Sequence, residues 1–408
     1  MKKRYLLVLC SCVASTFSYA DSTDAIGYAA PVDTFIPFVS TNFTYNSNLF
    51  ALQNTGLAQA ILGSTDTADF ISMLTAGVNM NWKVSQQVFT GHAIVNKSWF
   101  NTYKNLDNNG SDLGLEWDWA VDDTLHGTAG VSETKQLANL TFIQQPINDI
   151  LITQTAYVTG AVKLDDRWQV NAGVNSSDYT NSAASQQAFS LTMKNVTAGL
   201  QYTTPSGTKI ELDDRQTQGS YPSLVNSGPL SVNANFTESD NGVKFDWLPT
   251  QQTHLTGTLD YTQHLNPANP GENFSGVTGR AEANWAMTGK TALDFSIYRN
   301  IQAFNTATTS FQLVQGGTLI LTWQPTAKIS TNLRFLDDTI DYPNIAGIFP
   351  QAFAVRHDQL HIATLGVNYQ MLRNTAFVFT LERGDQASNL YGFSYTYNSV
   401  TVGLKQSF

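Results

Sequence analysis

The sequence predicts an all-β fold: a transmembrane antiparallel up-and-down β-barrel of about 18 strands, with 16 as the alternative. Three observations carry this. Charged residues make up only 13% of the 408 positions while hydrophobic ones make up 42%, against about 25% charge in ordinary soluble domains. Apolar and polar residues alternate with period two along most of the chain. An aromatic-then-turn pattern also recurs at a nearly constant interval. A low charge fraction argues against a cytosolic enzyme surface, and the abundance of apolar and aromatic residues argues against disorder. After residue 20 no apolar run approaches the ~20 residues that a membrane-crossing helix needs.

The N-terminus reads as an export signal over residues 1–20. Lys2, Lys3 and Arg4 form a charged head, Tyr5 to Val13 an apolar middle, and Ser18-Tyr19-Ala20 a small-x-small cleavage site. A lipoprotein cut before Cys12 is the rival, weakened by the poor context Leu9-Cys10-Ser11. Residues 21–33 form a short periplasmic leader, and residues 34–408 the barrel. Both cysteines, Cys10 and Cys12, lie in the signal, so the mature chain offers no disulfide, thiolate metal site or thiol nucleophile. It keeps 19 basic against 32 acidic residues, a net of −13, which argues against nucleic-acid binding, since that wants a basic face.

Strand periodicity is clearest in Leu113-Gly-Leu-Glu-Trp-Asp-Trp119, where Leu113, Leu115, Trp117 and Trp119 share one face. Lys209 to Asp213, Leu293 to Ile297 and Phe377 to Leu381 repeat it. The long-period signal consists of turns beginning at Trp82, Trp119, Leu164, Tyr202, Trp247, Trp285, Trp323 and Tyr369, spaced by 37, 45, 38, 45, 38, 38 and 46 residues. Between them lie longer stretches rich in Asn, Pro, Gly and Ser, such as Asn48 to Asp69, Leu137 to Ile150 and Asp341 to Ala354. Short turns on one side and long loops on the other describe an outer-membrane barrel. Eight short turns and nine long loops join 18 strands. Asn48 to Asp69 and Asp341 to Ala354 are the stretches expected to fold inward.

Trp and Tyr combine an apolar ring with a polar handle and settle at the membrane interface. Trp82, Trp119, Tyr202, Trp247, Trp285, Trp323 and Tyr369 are therefore the expected periplasmic girdle. The last strand, Val400 to Phe408, alternates Val400, Val402, Leu404, Gln406 and Phe408. It resembles the C-terminal assembly signal of outer-membrane barrels, with Phe408 as its terminal aromatic and Gln406 as its one polar departure.

Because the apolar face must meet lipid, the polar face must meet the lumen. Strand phase then makes Glu116, Asp118, Lys209, Glu211, Asp213, Arg215, Asp260, Arg280, Glu282, Asp294, Arg334 and Glu382 the candidate pore lining. Such a mixed lining is either a wet conduit or a set of internal salt bridges. Catalysis is disfavoured: none of the six histidines stands in a hydrolase or metalloprotease motif. The one close cluster, His357, Asp358 and His361, reads as solvated rim rather than a metal site, because Asp358 points away from the two histidines. No cofactor, metal or catalytic residue is expected.

At Thr34 to Leu52 the chain resembles the opening strand of the EpsL-type outer-membrane barrels tied to exopolysaccharide biosynthesis. The resemblance rests on Asn46-Ser47-Asn48-Leu49-Phe50; Ala51 departs from the Arg that often follows. It implies passage of a secreted polysaccharide across the bacterial outer membrane, with a periplasmic delivery partner. Outer-membrane lipid, lipopolysaccharide and the barrel-assembly machinery are the other expected partners, and nucleic acid is not. The alternative is a general or sugar-selective porin, and a barrel enzyme stands third.

Overall fold

A computed structural model describes residues 34–408 apart from 223–224, 228–229, 233–234, 269, 305–308, 310 and 344–354. The expected signal and leader, and most of the stretch from Asp341 to Ala354, lie outside the described residues. The strands are β1 (Phe35–Asn46), β2 (Asp69–Val84), β3 (Gln87–Phe100), β4 (Asn108–Val121), β5 (Leu125–Leu137), β6 (Ile150–Lys163), β7 (Trp168–Asn181), β8 (Leu191–Thr203) and β9 (Lys209–Ser220). A short hairpin, β10 (Val225–Ser227) and β11 (Leu230–Val232), stands in the next loop. The wall continues with β12 (Phe236–Thr250), β13 (Thr253–Leu265), β14 (Phe274–Thr288), β15 (Thr291–Ala303), β16 (Phe311–Thr326), β17 (Ile329–Tyr342), β18 (Arg356–Leu372), β19 (Thr375–Ser388) and β20 (Tyr395–Ser407).

Leaving out the small hairpin, each strand pairs antiparallel with its chain neighbours, and β1 pairs with β20, so 18 strands close on themselves. Closure leaves no edge carrying unpaired N–H and C=O groups, the condition for a sheet to sit in hydrocarbon. The count is 18, not 16.

Side-chain phase divides the wall into two faces. Val158 on β6 has register partners Ala129 and Val174, and all three point outward. Thr155 and Ser177, one phase apart from them, point inward and share a hydrogen bond. The outward face is the apolar one: Val158, Val174, Val196, Leu212 and Leu259 are each more than half exposed, which in water would be an aggregation hazard and in lipid is the required surface.

That apolar band is limited in height. On β6 it runs through Val162, Gly160, Val158 and Ala156 and ends at Gln154; on β5 it ends at Glu133, which accepts from Gln154 at 2.7 Å and pairs with Lys135 at 2.7 Å. On β17 it stops at Asp337 and on β18 at His361, 3.2 Å apart. About four outward positions at ~5 Å of vertical rise each give ~20 Å, close to the ~25 Å band of such barrels. Beyond it β5, β6, β17 and β18 continue with polar outward residues, so the wall stands above the hydrocarbon in those sectors, whereas Tyr45, Phe70 and Trp99 keep β1, β2 and β3 aromatic on the outside up to their long-loop ends.

The turns explain the repeated sequence pattern. In Trp247-Leu-Pro-Thr250, Trp285-Ala-Met-Thr288 and Trp323-Gln-Pro-Thr326 the ladder shifts register between the Trp and the Thr. The Thr hydroxyl then accepts a backbone N–H across the turn: Gln252 to Thr250 at 3.2 Å, Lys290 to Thr288 at 3.1 Å, and both Lys328 and Ile329 to Thr326 at 3.2 and 3.1 Å. The Trp keeps the outward phase of its strand, the bulge follows it, and the Thr closes the hairpin. Thr326→Ala is expected to lower barrel stability by about 1 kcal/mol, read as a shift in the urea midpoint of the refolded protein; an unchanged midpoint would remove the Thr from this role.

Candidate functional site

The seven girdle residues sit at the short-turn ends, on the outward face. Trp82, Trp247, Trp285 and Trp323 are about half exposed, and Trp119 lies over Gly127 and Gly160, where an added Cβ at Gly127 would strike its ring. Tyr202 packs against Trp168 at 4.9 Å. Trp168 thus joins the same belt, although the turn motif there was indexed on Leu164. At the seam, Phe408 is exposed and its N–H donates to Pro37 at 2.9 Å. Gln406, the polar departure in the last strand, accepts from Thr375 at 2.6 Å and so serves the strand end rather than the lipid.

The twelve candidate lumen residues all lie on the inward phase of their strands. Four of them, Glu211, Asp213, Arg215 and Asp260, are brought together on β9 and β13 around Lys244 on β12. Lys244 is 2.8 Å from Asp213 and 3.8 Å from Glu211. Arg215 donates through Nε and Nη2 to Asp240 at 2.9 and 2.7 Å and lies 3.7 Å from Glu238. Arg280 is held by Glu282 and sits 5.3 Å from the ring centre of Tyr298. Lys209 ends the same acidic stripe, opposite Asp246 in the register. The others stand on separate sectors: Asp294 accepts from Asn284 at 2.7 Å, and Glu382 from Tyr397 at 2.7 Å and Thr364 at 3.1 Å. Glu116 accepts from the Tyr157 hydroxyl, Asp118 faces Thr128 in the register, and Arg334 faces Thr364. Arg215 and Arg280 are therefore engaged with the barrel's own carboxylates.

Reading by residue type missed the Tyr–carboxylate pairs. Tyr157 crosses the Cα of Gly130 to reach Glu116, and Tyr397 crosses Gly384 to reach Glu382. A Cβ at either glycine would collide with the ring, so glycine is required by close approach. Tyr298 donates to Asp338 at 2.5 Å. The signal, Gly directly opposite Tyr across a ladder, is visible only once the register is known.

At the long-loop side two of the described loops reach over the lumen. The stretch Asn46 to Leu52 turns the chain inward. Asn48 is 9% exposed; its Nδ2 donates to the carbonyls of Leu52 at 2.9 Å and Thr396 at 3.0 Å, and its Oδ1 accepts Leu52 N–H at 3.0 Å. Ala51 takes a left-handed φ of 51° to complete the bend. Phe50 and Ala51 are then fully buried. Helix α1 (Thr55–Leu62) follows, capped by Asn54, whose Oδ1 accepts Leu57 N–H at 2.9 Å, and ended by Gly63 at φ 69°. Leu57, Ala58, Ile61 and Leu62 face a cluster made by Phe50, Leu52, Leu106, Leu140 and the inward side chains of Ile71 and Phe100. Phe50 meets Tyr103 edge-on at 4.7 Å. Burial and the carboxylates of Asp66 and Asp69 push the Tyr103 phenol up, so it stays a donor, to the Asp66 carbonyl at 2.7 Å.

The loop after β5 contributes a second strap. Its short helix α2 (Leu140–Ile143) is capped by Asn139, and Gln144 Nε2 donates to the carbonyls of Ala51 at 3.0 Å and Gly392 at 3.2 Å. Gly392 N–H in turn donates to Gln53 at 2.7 Å. Phe142 approaches Phe304, in the loop after β15, at 6.1 Å, and Phe304 packs on Tyr342 at 5.1 Å. The loops after β5 and β15 are eight strands apart in an 18-strand circle, almost diametrically placed. Strand spacing and tilt give the wall a width of ~35 Å, so this contact spans the mouth. The inward fold expected for Asn48 to Asp69 is present; for Asp341 to Ala354 it falls on residues that are not described, save Asp341, Tyr342 and Pro343.

His357 and His361 point outward, 2.6 Å from Asp341 and 3.2 Å from Asp337 respectively. Asp358 points inward, fully buried against Arg356 at 2.6 Å.

Among known proteins, the family model described as "Putative beta-barrel porin 2" matches residues 269–408. The Asn46 to Phe50 element lies outside that match. No curated protein matches. Solved structures similar to this chain include OpdK with vanillate from Pseudomonas aeruginosa, at 8% identity over 92% of this chain and 99% of that one, TM-score 0.49. The siderophore receptor PirA from Pseudomonas aeruginosa is another, at 10% identity over 93% and 81%, TM-score 0.45. The chain has the fold of the outer-membrane β-barrels, and its C-terminal third resembles a porin family.

Proposed function

We propose that the protein is an outer-membrane channel through which an exopolysaccharide is secreted, exported itself by a cleaved signal peptide and inserted by the barrel-assembly machinery. The observation that carries the reading is the mouth: the Asn46 to Phe50 element, which resembles that of the EpsL-type barrels, starts a strap that folds inward over the lumen on the long-loop side. A conduit that opens only for cargo suits a secreted polymer delivered by a periplasmic partner. Below the strap, partly exposed inward amide and hydroxyl side chains such as Asn171, Thr128 and Thr159 offer donors and acceptors to sugar hydroxyls.

A porin for small solutes is the second reading, favoured by the family match over residues 269–408. Deleting the gene is expected to abolish surface polysaccharide while leaving small-sugar uptake unchanged. Intact polysaccharide, together with an open conductance in bilayers saturable by small sugars, would transfer the assignment to the porin.

A further inference from the structure

We infer that the conduit is selective for cations, with the inner wall of β9, β12 and β13 as its selectivity zone. This rests on the channel reading above and narrows its cargo to solutes that are uncharged or carry ammonium or metal-cation charge.

Three successive register rows form the zone. Arg215, Asp240 and Thr262 make one row; Asp213, Gly242 and Asp260 the next; Glu211, Lys244 and Thr258 the third. Gly242 has no side chain, so Asp260 leans across it toward Asp213: a Cβ at Gly242 would strike the Asp260 carboxylate. Two carboxylates thus face one another over a bare backbone. Arg215 and Lys244 must serve Glu211, Asp213, Glu238, Asp240 and Asp260 together. They are already taken, at 2.7 Å to Asp240 and 2.8 Å to Asp213, while Asp260 stands in no ion pair within 4 Å among the described residues.

A second observation points to a missing partner. The Asp213 side chain is 6% exposed and its Oδ2 meets Lys244, yet its Oδ1 is buried with no donor. A buried carboxylate oxygen without a donor is costly, and a cation in the row between Asp213 and Asp260 would compensate it by direct coordination. The excess of acid continues elsewhere on the inner face, where Glu116, Asp118, Asp294, Asp338 and Glu382 stand against Lys163, Arg334 and Lys405.

The physics follows from the geometry. Wall charge inside a low-dielectric shell concentrates counter-ions about tenfold or more. At ~0.1 M salt the screening length is ~10 Å, a large part of the distance from wall to axis, so the field reaches passing solute.

The test is planar-bilayer reversal potential of the purified full-length barrel, and of the same barrel trimmed over residues 54–63, across a KCl gradient. K+ is expected to exceed Cl− in permeability by about tenfold near 0.1 M and to lose most of that preference near 1 M, where screening shortens to ~3 Å. Asp213→Asn with Asp260→Asn should reduce the ratio several-fold while conductance persists; Asp214→Asn, on the outward phase of β9, should not. Should the double variant fail to refold, Asp260→Asn alone carries the test. A barrel that conducts but passes Cl− as readily as K+, or a ratio untouched by these changes, overturns the inference and leaves the channel standing. Absence of conductance in both forms overturns the channel itself, and this inference with it.

Discussion

Asn48→Ala is expected to open the mouth and raise bilayer conductance several-fold without lowering the unfolding midpoint of the barrel wall. Asn48 holds the bend by two donated hydrogen bonds and one accepted one, all at 3.0 Å or less. Truncation leaves the buried Leu52 N–H without an acceptor, at about 1–3 kcal/mol. Phe50→Ala should act on the same hinge more strongly: a fully buried ring costs about 3–5 kcal/mol when removed from a packed site. Because the cluster around Phe50 is the main attachment of α1, its loss releases the strap while the ladder of the wall persists. Limited proteolysis supplies the control: cleavage within Thr55–Leu62 should appear in both variants and be absent from the parent. Conductance that stays unchanged once α1 is cut would show that the strap does not obstruct the lumen.

Val158→Arg is expected to impair membrane insertion by about 2–4 kcal/mol, the cost of a charge at the bilayer midplane, whereas Gln154→Arg should cost about 0–1 kcal/mol. The two positions share a strand and a face, two outward steps apart. Val158 stands among Ala129 and Val174, while Gln154 is beside Glu133. Folding yield into lipid vesicles against urea measures both. Equal penalties would mean that the polar belt of Glu133, Gln154, Asp337 and His361 lies within hydrocarbon, and the ~20 Å band would have to be redrawn.

These two variants also mark where the sequence was informative. Alternation in Leu113 to Trp119 gave the strand, its phase and its outward face, because in a closed barrel every strand obeys the same two-sided rule. Spacing of Trp247, Trp285 and Trp323 gave the turns, because each carries the same Trp-to-Thr bulge. Helix α1 was not legible: eight residues are too few for periodicity to show, and its apolar stripe gains meaning only when Ile71 and Phe100 supply a floor. Nor was the polar outward belt, since Asp337 and Asp338 look alike in a sequence while one meets the exterior and the other Tyr298. The site residues were located by phase, but their partners were not, because Asp240 and Glu238 approach from the next strand and Tyr157 from across β5, in a register that a single sequence does not state.

The seam between β1 and β20 sets the order of events in the life of the chain. Every other pairing in the wall joins strands next to each other in sequence, apart from β9 with β12 across their loop. Thr44 and Thr401 share a 2.9 Å hydrogen bond across 357 positions. Bringing such remote ends together costs ~5 kcal/mol in chain entropy, offset by the single ladder between β1 and β20. Until that ladder forms, the sheet is an open ribbon with two raw margins, β1 and β20. A chain that loses β20 therefore forfeits the whole vessel rather than one stave of it.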